Sequence, residues 1–239
     1  MAIYLCHTEP AKLEFETAVV DSRPGAVALA SSWLHPGGGG QPADRAVLEW
    51  RGGTAAITGV EVDGDRWWHR LDTNGVVDGT VRVAIDADHR ARIAQLHTDT
   101  HILNALVFQE FDGALVTGAK ISDGSAHLDF DLPEADNDRL RNIEDAINAV
   151  IREGLHVRAT YLALDEAQRT PGIVRNLTVA PPPTPDGMLR VIEIAGLDRQ
   201  ACGGTHLTNT GESLPIRITK VDNKGRRNRR VTIALVTPT

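Results

Sequence analysis

At 239 residues, with a net charge of −7 and 24% charged residues, the chain has the make-up of a soluble globular protein holding one large domain or two small ones. The acidic balance argues against a protein that coats nucleic acid without specificity, while leaving room for a local basic surface. No apolar run reaches the roughly 18 residues needed to cross a membrane, and no charged-then-apolar N-terminus resembles a signal peptide, so a cytoplasmic protein is expected.

From Ile3 to about Ile85 the sequence reads as short β pieces with almost no helix signal. Phe15–Asp21, Ala26–Leu29, Ala46–Trp50 and Val81–Ile85 are expected strands, and Asp63-Gly64 turns Ile57–Val62 back into Asp65–Arg70 as a hairpin. Short strands joined by glycine-rich turns suggest a small barrel. Cys6 is expected to be a buried strand residue, and with no secretory features Cys6 and Cys202 are expected as two free thiols. The turn-rich stretch Asp72–Gly79 lies near a boundary, dividing a β-barrel domain at 1–85 from a second domain at 86–239.

Within the first domain, four consecutive glycines in His35-Pro36-Gly37-Gly38-Gly39-Gly40-Gln41-Pro42-Ala43-Asp44 fit neither helix nor strand interior. The stretch is either a flexible surface loop or a loop whose backbone passes close to a ligand, with Gln41 and Asp44 as its polar tip. It is not a phosphate-binding P-loop, because no Lys-Ser/Thr follows the glycines.

The second domain opens with Asp88–Glu110, one helix with Asp88 as N-cap and Ile93, Leu96, Thr100, Leu103 and Val107 on a mostly apolar stripe. His127–Asp131 alternates as a strand, and Pro133 and Glu134 start a helix that Gly154 ends after Glu153. Ile143, Ile147, Val150 and Ile151 form its buried face, with Glu144 and Asp145 outward. Val157–Leu164 reads as a strand, and the prolines at 181, 182, 183 and 185 mark a loop that cannot be sheet interior. Leu189–Ile194 leads through Gly196 to Cys202-Gly203-Gly204-Thr205-His206. Leu214–Val221 and Val231–Val236 pair as a hairpin around Lys220, Lys224, Arg226, Arg227, Arg229 and Arg230. That basic segment is a solvated rim or a phosphate-contacting edge, with charge alone favouring neither. The mixture of helices and antiparallel strands is an α+β pattern.

The chemistry concentrates in two half-sites. His97 and His101 lie four apart and share a helix face, which offers two imidazoles side by side. Cys202 and His206 bracket a glycine pair that lets both side chains face one point. The histidine pair alone has an ordinary structural explanation, two helix histidines with one half-exposed and one hydrogen-bonded in the core, whereas a Cys and a His bracketing a Gly-Gly turn have few structural reasons to coexist. Together they supply three nitrogens and one sulfur, a donor set that suits Zn2+.

In combination, His97/His101 and Cys202/His206 resemble the editing domain of alanyl-tRNA synthetase, which is shared with threonyl-tRNA synthetase and the free-standing AlaX family. Asn209-Thr210-Gly211-Glu212 and the Lys-Gly-Arg-Arg segment resemble that family too, and Pro36–Asp44 is similar to the glycine-rich loop of its medium-length type. The resemblance covers nearly the whole chain. It implies a small N-terminal β-barrel followed by an α/β editing domain, with His97, His101, Cys202 and His206 on zinc and Thr98 in the amino-acid pocket. Gln41 would enter from the glycine-rich loop. The implied activity is ATP-independent hydrolysis of the ester that joins serine, or in some members glycine, to tRNA(Ala). The length leaves no room for an aminoacylation domain, and the chain ends before the C-terminal domain of the longer AlaX form. Asp99 and Thr100 depart from the small or apolar residue and the leucine more common there.

Editing answers a physical limit: a pocket rejects an amino acid that merely adds a hydroxyl by only about a hundredfold. Thr98 is the candidate partner for that serine hydroxyl, or else a helix threonine bonded to its own backbone. Four protein ligands would fill a tetrahedral zinc, the usual mark of a structural site, so catalysis requires five-coordination or one residue standing off. The tRNA's terminal hydroxyl, an open ligand position and Asp99 are the candidate aids to catalysis. The alternative is a zinc-stabilised tRNA-binding module without catalysis. A zinc hydrolase of small-molecule esters is a third reading, against which the basic segment argues.

Overall fold

The computed structural model describes residues 4–64, 66–133, 137–175 and 181–236. The chain forms two compact units, the first of Met1–Gly38 and Pro42–Ala91, the second of Gly39–Gln41 and Arg92–Thr239. No helix among the described residues is long and apolar enough to cross a membrane.

In the first unit a short helix α1 (Leu5–Thr8) precedes strands β1 (Glu14–Arg23), β2 (Ala26–Leu29), β3 (Ala46–Trp50), β4 (Gly53–Asp63), β5 (Arg66–Leu71) and β6 (Thr80–Ile85). These close into a barrel in the order β1-β2-β5-β4-β3-β6, with every neighbouring pair antiparallel. Closure leaves no unpaired edge. Alternation sends Leu48, Ile57, Val81 and Val83 inward beside Val27 and Leu34 to make the core. Register shifts between Val19 and Asp21 and between Ile57 and Gly59 bend the two longest strands. Cys6 is buried as expected but lies on α1, not on a strand, and neither it nor Cys202 is in a disulfide. Asp65, the expected first residue of β5, lies outside the described residues.

Asp44 is no exposed tip. It is 2% exposed and accepts hydrogen bonds from His35 N and from both Nε (2.7 Å) and Nη2 of Arg90, while Arg90 Nη2 also donates to the Trp33 carbonyl at 3.0 Å. This buried ion pair fixes the stem of the glycine-rich loop.

Helix α2 (Ala87–Glu110) runs across the division between the units. Its N-cap is Asp86, whose Oδ1 accepts from His89 N at 2.9 Å, and Asp88 instead sits in the first turn. The second unit continues with β7 (Val116–Ser122), β8 (Ser125–Asp131), α3 (Asn137–Glu153), β9 (Val157–Ala163), α4 (Leu164–Arg169), β10 (Met188–Ile194), β11 (Asp198–Ala201), β12 (Ile216–Lys224) and β13 (Asn228–Leu235). The strands form two antiparallel sheets, β12-β13-β8-β7 and β11-β10-β9. Leu96 and Leu103 of α2, Phe130 of β8, Leu140 and Ile147 of α3 and Ile233 of β13 share one core. The fold class is thus α+β with a small N-terminal barrel, as expected.

The start expected for α3 at Glu134 lies outside the described residues. Glu144 was expected to face outward, yet its Oε2 accepts from Ile218 N at 2.7 Å. Asn148 pairs with both the N–H and the carbonyl of Ile216, at 2.9 Å each. Polar side chains of α3 therefore satisfy the backbone of edge strand β12.

Candidate metal centre

Helix α2 is buried without a break from Ile93 to Ala105. Its apolar stripe meets the core, so its polar face is also interior, and Gln95, His97, Thr98, Asp99, Thr100, His101 and Asn104 all need partners inside the protein. Those partners build the site.

His97, His101, Cys202 and His206 come together, with one ligand atom from each lying within 4.8 Å of the others. Cys202 Sγ is 3.4 Å from His97 Nε2 and 3.2 Å from His206 Nε2. Zinc–sulfur and zinc–nitrogen bonds at tetrahedral angles imply a sulfur–nitrogen edge of about 3.5 Å, so the donor set fits a zinc ion in chemistry and in size.

Burial, with Arg175 and Arg190 nearby, pushes the His101 pKa down to about 3, so its ring is neutral near pH 7, as a ligand must be. Burial raises the Cys202 pKa, against the pull of Arg190 and of Gly204 N–H, which points at Sγ from 3.3 Å.

The Cys202–His206 turn is held from several sides. Arg190 Nη1, on β10, donates to the carbonyls of Cys202 (2.8 Å) and Gly204 (3.0 Å). Gly204 has no room for a side chain, since a Cβ there would collide with the His97 ring and with Gln41 Oε1. Downstream, Asn209-Thr210-Gly211-Glu212 folds into a single 3-10 turn locked to the end of α3. Asn209 Nδ2 donates to the Gly154 carbonyl at 2.6 Å, and Thr210 Oγ1 donates to the Val150 carbonyl at 2.9 Å.

Gln41 reaches this turn from the glycine-rich loop. Its Oε1 accepts from Thr205 N at 3.0 Å and from His97 Nδ1 at 2.7 Å, and its Nε2 donates to Thr205 Oγ1 at 3.0 Å. Gly37 to Gly40 all have positive φ. Gly40 lies against β7, where Ile121 N donates to its carbonyl at 2.8 Å and a Cβ would stand 2.7 Å from the Ala119 carbonyl. The close approach that requires glycine at position 40 is to a neighbouring strand.

Thr98 is fully buried. Its hydroxyl donates to the Ala94 carbonyl at 2.9 Å, accepts from Leu207 N at 3.1 Å and lies 3.3 Å from His206 Nδ1. Asp99 is not part of the four-residue group. Two residues on from His97 it points about 200° round the helix. There its Oδ2 accepts from Ser213 Oγ at 2.9 Å, and burial lifts its pKa to about 8 despite that bond.

The basic segment lies on the β12–β13 hairpin, at the far edge of the four-stranded sheet from β7. Arg227 pairs with Asp131 and Arg230 with Asp129, each through two bonds of 2.6 to 3.0 Å, and Lys220 pairs with Asp222 at 3.0 Å. Arg229 donates to the Pro133 carbonyl at 3.3 Å. Lys224 and Arg226 are exposed beside the turn and have no ion pair among the described residues.

Sequence reasoning missed Arg190 and a buried chain behind His101. In that chain Gln200 donates to the His101 carbonyl at 3.2 Å and to Asp198, Asn104 donates to Gln200, and Arg175 pairs with Asp198 while stacking 3.8 Å from the Phe108 ring. The available signal was a set of polar residues on strands β10 and β11 directly before Cys202.

Residues 189–232 match the model of the threonyl and alanyl tRNA synthetase second additional domain, a stretch that contains Cys202 and His206. The alanyl-tRNA editing protein AlaX-M of Saccharolobus solfataricus is 36% identical, over 91% of this chain and 92% of its own length. That of Methanosarcina acetivorans is 33% identical, over 88% of this chain and 89% of its own. The alanine–tRNA ligase of Korarchaeum cryptofilum is 33% identical over 90% of this chain but only 24% of the ligase. With the barrel, the α2 histidine pair and the Cys202–His206 turn in a single chain, and relatives matching it almost end to end, the chain belongs to the AlaX-M family of alanyl-tRNA editing proteins.

Proposed function

We propose that this chain removes serine, and glycine as the second candidate, from mischarged tRNA(Ala) by zinc-dependent hydrolysis of the aminoacyl ester, acting in the cytoplasm. It is an aminoacyl-tRNA deacylase, the class to which the alanyl-tRNA editing relatives belong. The observation that carries the proposal is the convergence of His97, His101, Cys202 and His206, with one ligand atom from each within 4.8 Å of the others, inside a family of editing proteins.

When bound, zinc supplies Lewis acidity toward an ester carbonyl and toward water. The chain's own part is to hold the donors. α2 fixes two imidazoles four residues apart, and Arg190 grips the carbonyls of Cys202 and Gly204 so that thiol and third imidazole stay on the same point. Burial keeps His101 neutral. Serine is proposed ahead of alanine because the two differ by one hydroxyl, the difference that a synthetic pocket rejects poorly. Contact with the tRNA backbone is proposed for the exposed Lys224 and Arg226, and Lys220, Arg227, Arg229 and Arg230 add positive potential from their protein-bound positions.

The four-donor set is also what a purely structural zinc would have, in a tRNA-binding module without catalysis. Deacylation of Ser-tRNA(Ala), Gly-tRNA(Ala) and Ala-tRNA(Ala) by the full chain separates the two. Loss of serine with alanine spared is expected. Loss of glycine alone would keep the enzyme and change its substrate, and no loss from any of the three, with zinc bound, would leave the binding module.

A further inference from the structure

We infer that Gln41 and Thr98 are positioning residues that impose a single tautomer on two of the metal-binding histidines, turning Nε2 of His97 and Nε2 of His206 into the metal-facing atoms. The inference rests on the metal-centre reading above and adds to it a mechanism by which the protein prepares the donors before any ion arrives.

Each hydrogen around the two rings is assigned by what its neighbours can donate or accept. A backbone N–H can only donate, and Thr205 N points at Gln41 Oε1 from 3.0 Å, so that atom is the amide oxygen. The amide nitrogen agrees, donating to Thr205 Oγ1 at 3.0 Å. The same Oε1 lies 2.7 Å from His97 Nδ1. An amide oxygen has no proton to give, so Nδ1 carries the hydrogen and the lone pair of His97 falls on Nε2, the atom 3.4 Å from Cys202 Sγ.

Thr98 reaches the same end by another route. Its hydroxyl has one hydrogen, and the Ala94 carbonyl, which can only accept, takes it at 2.9 Å. Leu207 N, which can only donate, approaches the oxygen at 3.1 Å. What Thr98 offers His206 Nδ1 at 3.3 Å is therefore an acceptor. Nδ1 again carries the hydrogen, and Nε2 of His206 faces Cys202 Sγ at 3.2 Å. A helix threonine bonded to its own backbone thus orients a histidine, and the Thr98 hydroxyl and the Gln41 amide oxygen both have their hydrogen-bonding capacity spent on the protein.

Partners of this kind fix ring orientation and raise ligand basicity, and their loss costs metal affinity. The direct test is nitrogen-15 NMR of the full chain without zinc, which reads histidine tautomers. Hydrogen on Nδ1 in both His97 and His206 is expected, and hydrogen on Nε2 in either overturns the inference for that residue. Zinc affinity, measured by competition with a chromophoric chelator, gives the second readout. Gln41→Met and Thr98→Val, which keep size and remove the acceptor, should each weaken zinc by roughly 10- to 100-fold. Gln41→Glu and Thr98→Ser, which keep the acceptor, should stay close to the parent. Equal affinity in all four variants, with only deacylation lost in Gln41→Met and Thr98→Val, would make these residues substrate contacts and overturn the proposal. Equal losses in the conservative pair would reduce the effect to packing and overturn it as well. A parent chain that binds no zinc would sink the metal-centre reading while leaving the tautomer result to stand or fall by itself.

Discussion

At the scale of single residues, the buried histidines show how environment sets role. His101 and His69 are both driven to the neutral form by burial, yet one joins the four-residue group that could hold a metal and the other is part of the barrel wall. His69 is fully buried, bonded through Nδ1 to the Val27 carbonyl at 3.3 Å and through Nε2 to Ser32 Oγ at 2.9 Å. Its pKa falls to about 4, chiefly by burial, which outweighs the backbone bonds to Val27 and Trp67. Because the folded value lies below the unfolded one near 6.5, the unfolded chain takes up a proton first as the pH drops. The stability this neutral ring contributes is complete above pH 6.5 and is lost as the pH falls toward 4, by about 3 kcal/mol. Thermal unfolding at pH 7 and pH 4.5 should therefore show a smaller drop for His69→Gln than for the parent. Identical drops would contradict the assignment.

At the scale of elements, the β12–β13 hairpin divides its basic residues into two kinds. Arg227 and Arg230 are committed to Asp131 and Asp129 across the sheet, whereas Lys224 and Arg226 flank the turn in solvent. Changing Lys224 and Arg226 together to Ala should weaken binding of tRNA and reduce the salt dependence of log K by roughly one per phosphate contact removed. An unchanged salt slope would put the nucleic acid elsewhere. Elements also explain what the sequence concealed. β2 and β3 were legible to the residue, β3 by its alternation and β2 as a short apolar run between turns. β7 was not, since Thr117-Gly118-Ala119-Lys120 is intermediate or exposed and breaks the alternation, and β11 is four residues with only Gln200 buried. α2 was found, but its sequence offered a single apolar stripe while the fold buries it all round from Ile93 to Ala105. A polar face looks like a solvent face in sequence, and only the fold reveals that Gln41, Leu207 and Ser213 meet it. The four-residue group that could hold a metal was legible because H-x-x-x-H and C-x-x-x-H carry their own geometry. Arg190 and Gln200 were not, because alternate strand positions say nothing of a loop or helix brought beside them by tertiary structure.

At the scale of the molecule, the barrel closes on its own core and the second unit on another, and the histidine helix is continuous through the division at Ala91. The tip Gly39–Gln41 belongs to the second unit although the loop that carries it begins in the first. The candidate metal centre is thus assembled from three distant parts of the chain: the tip at Gln41, the helix at His97 and His101, and the turn at Cys202 to His206. If, as proposed, this assembly is a metal centre that performs the hydrolysis, activity must follow bound zinc. Deacylation of Ser-tRNA(Ala) by the full chain should be followed while zinc is withdrawn by a chelator and then restored, with bound zinc quantified at each step. The rate should fall in proportion to zinc occupancy, recover on re-addition, and be absent in Cys202→Ser at the same zinc concentration. A zinc-free chain that remains folded and hydrolyses Ser-tRNA(Ala) at the original rate would contradict the claim.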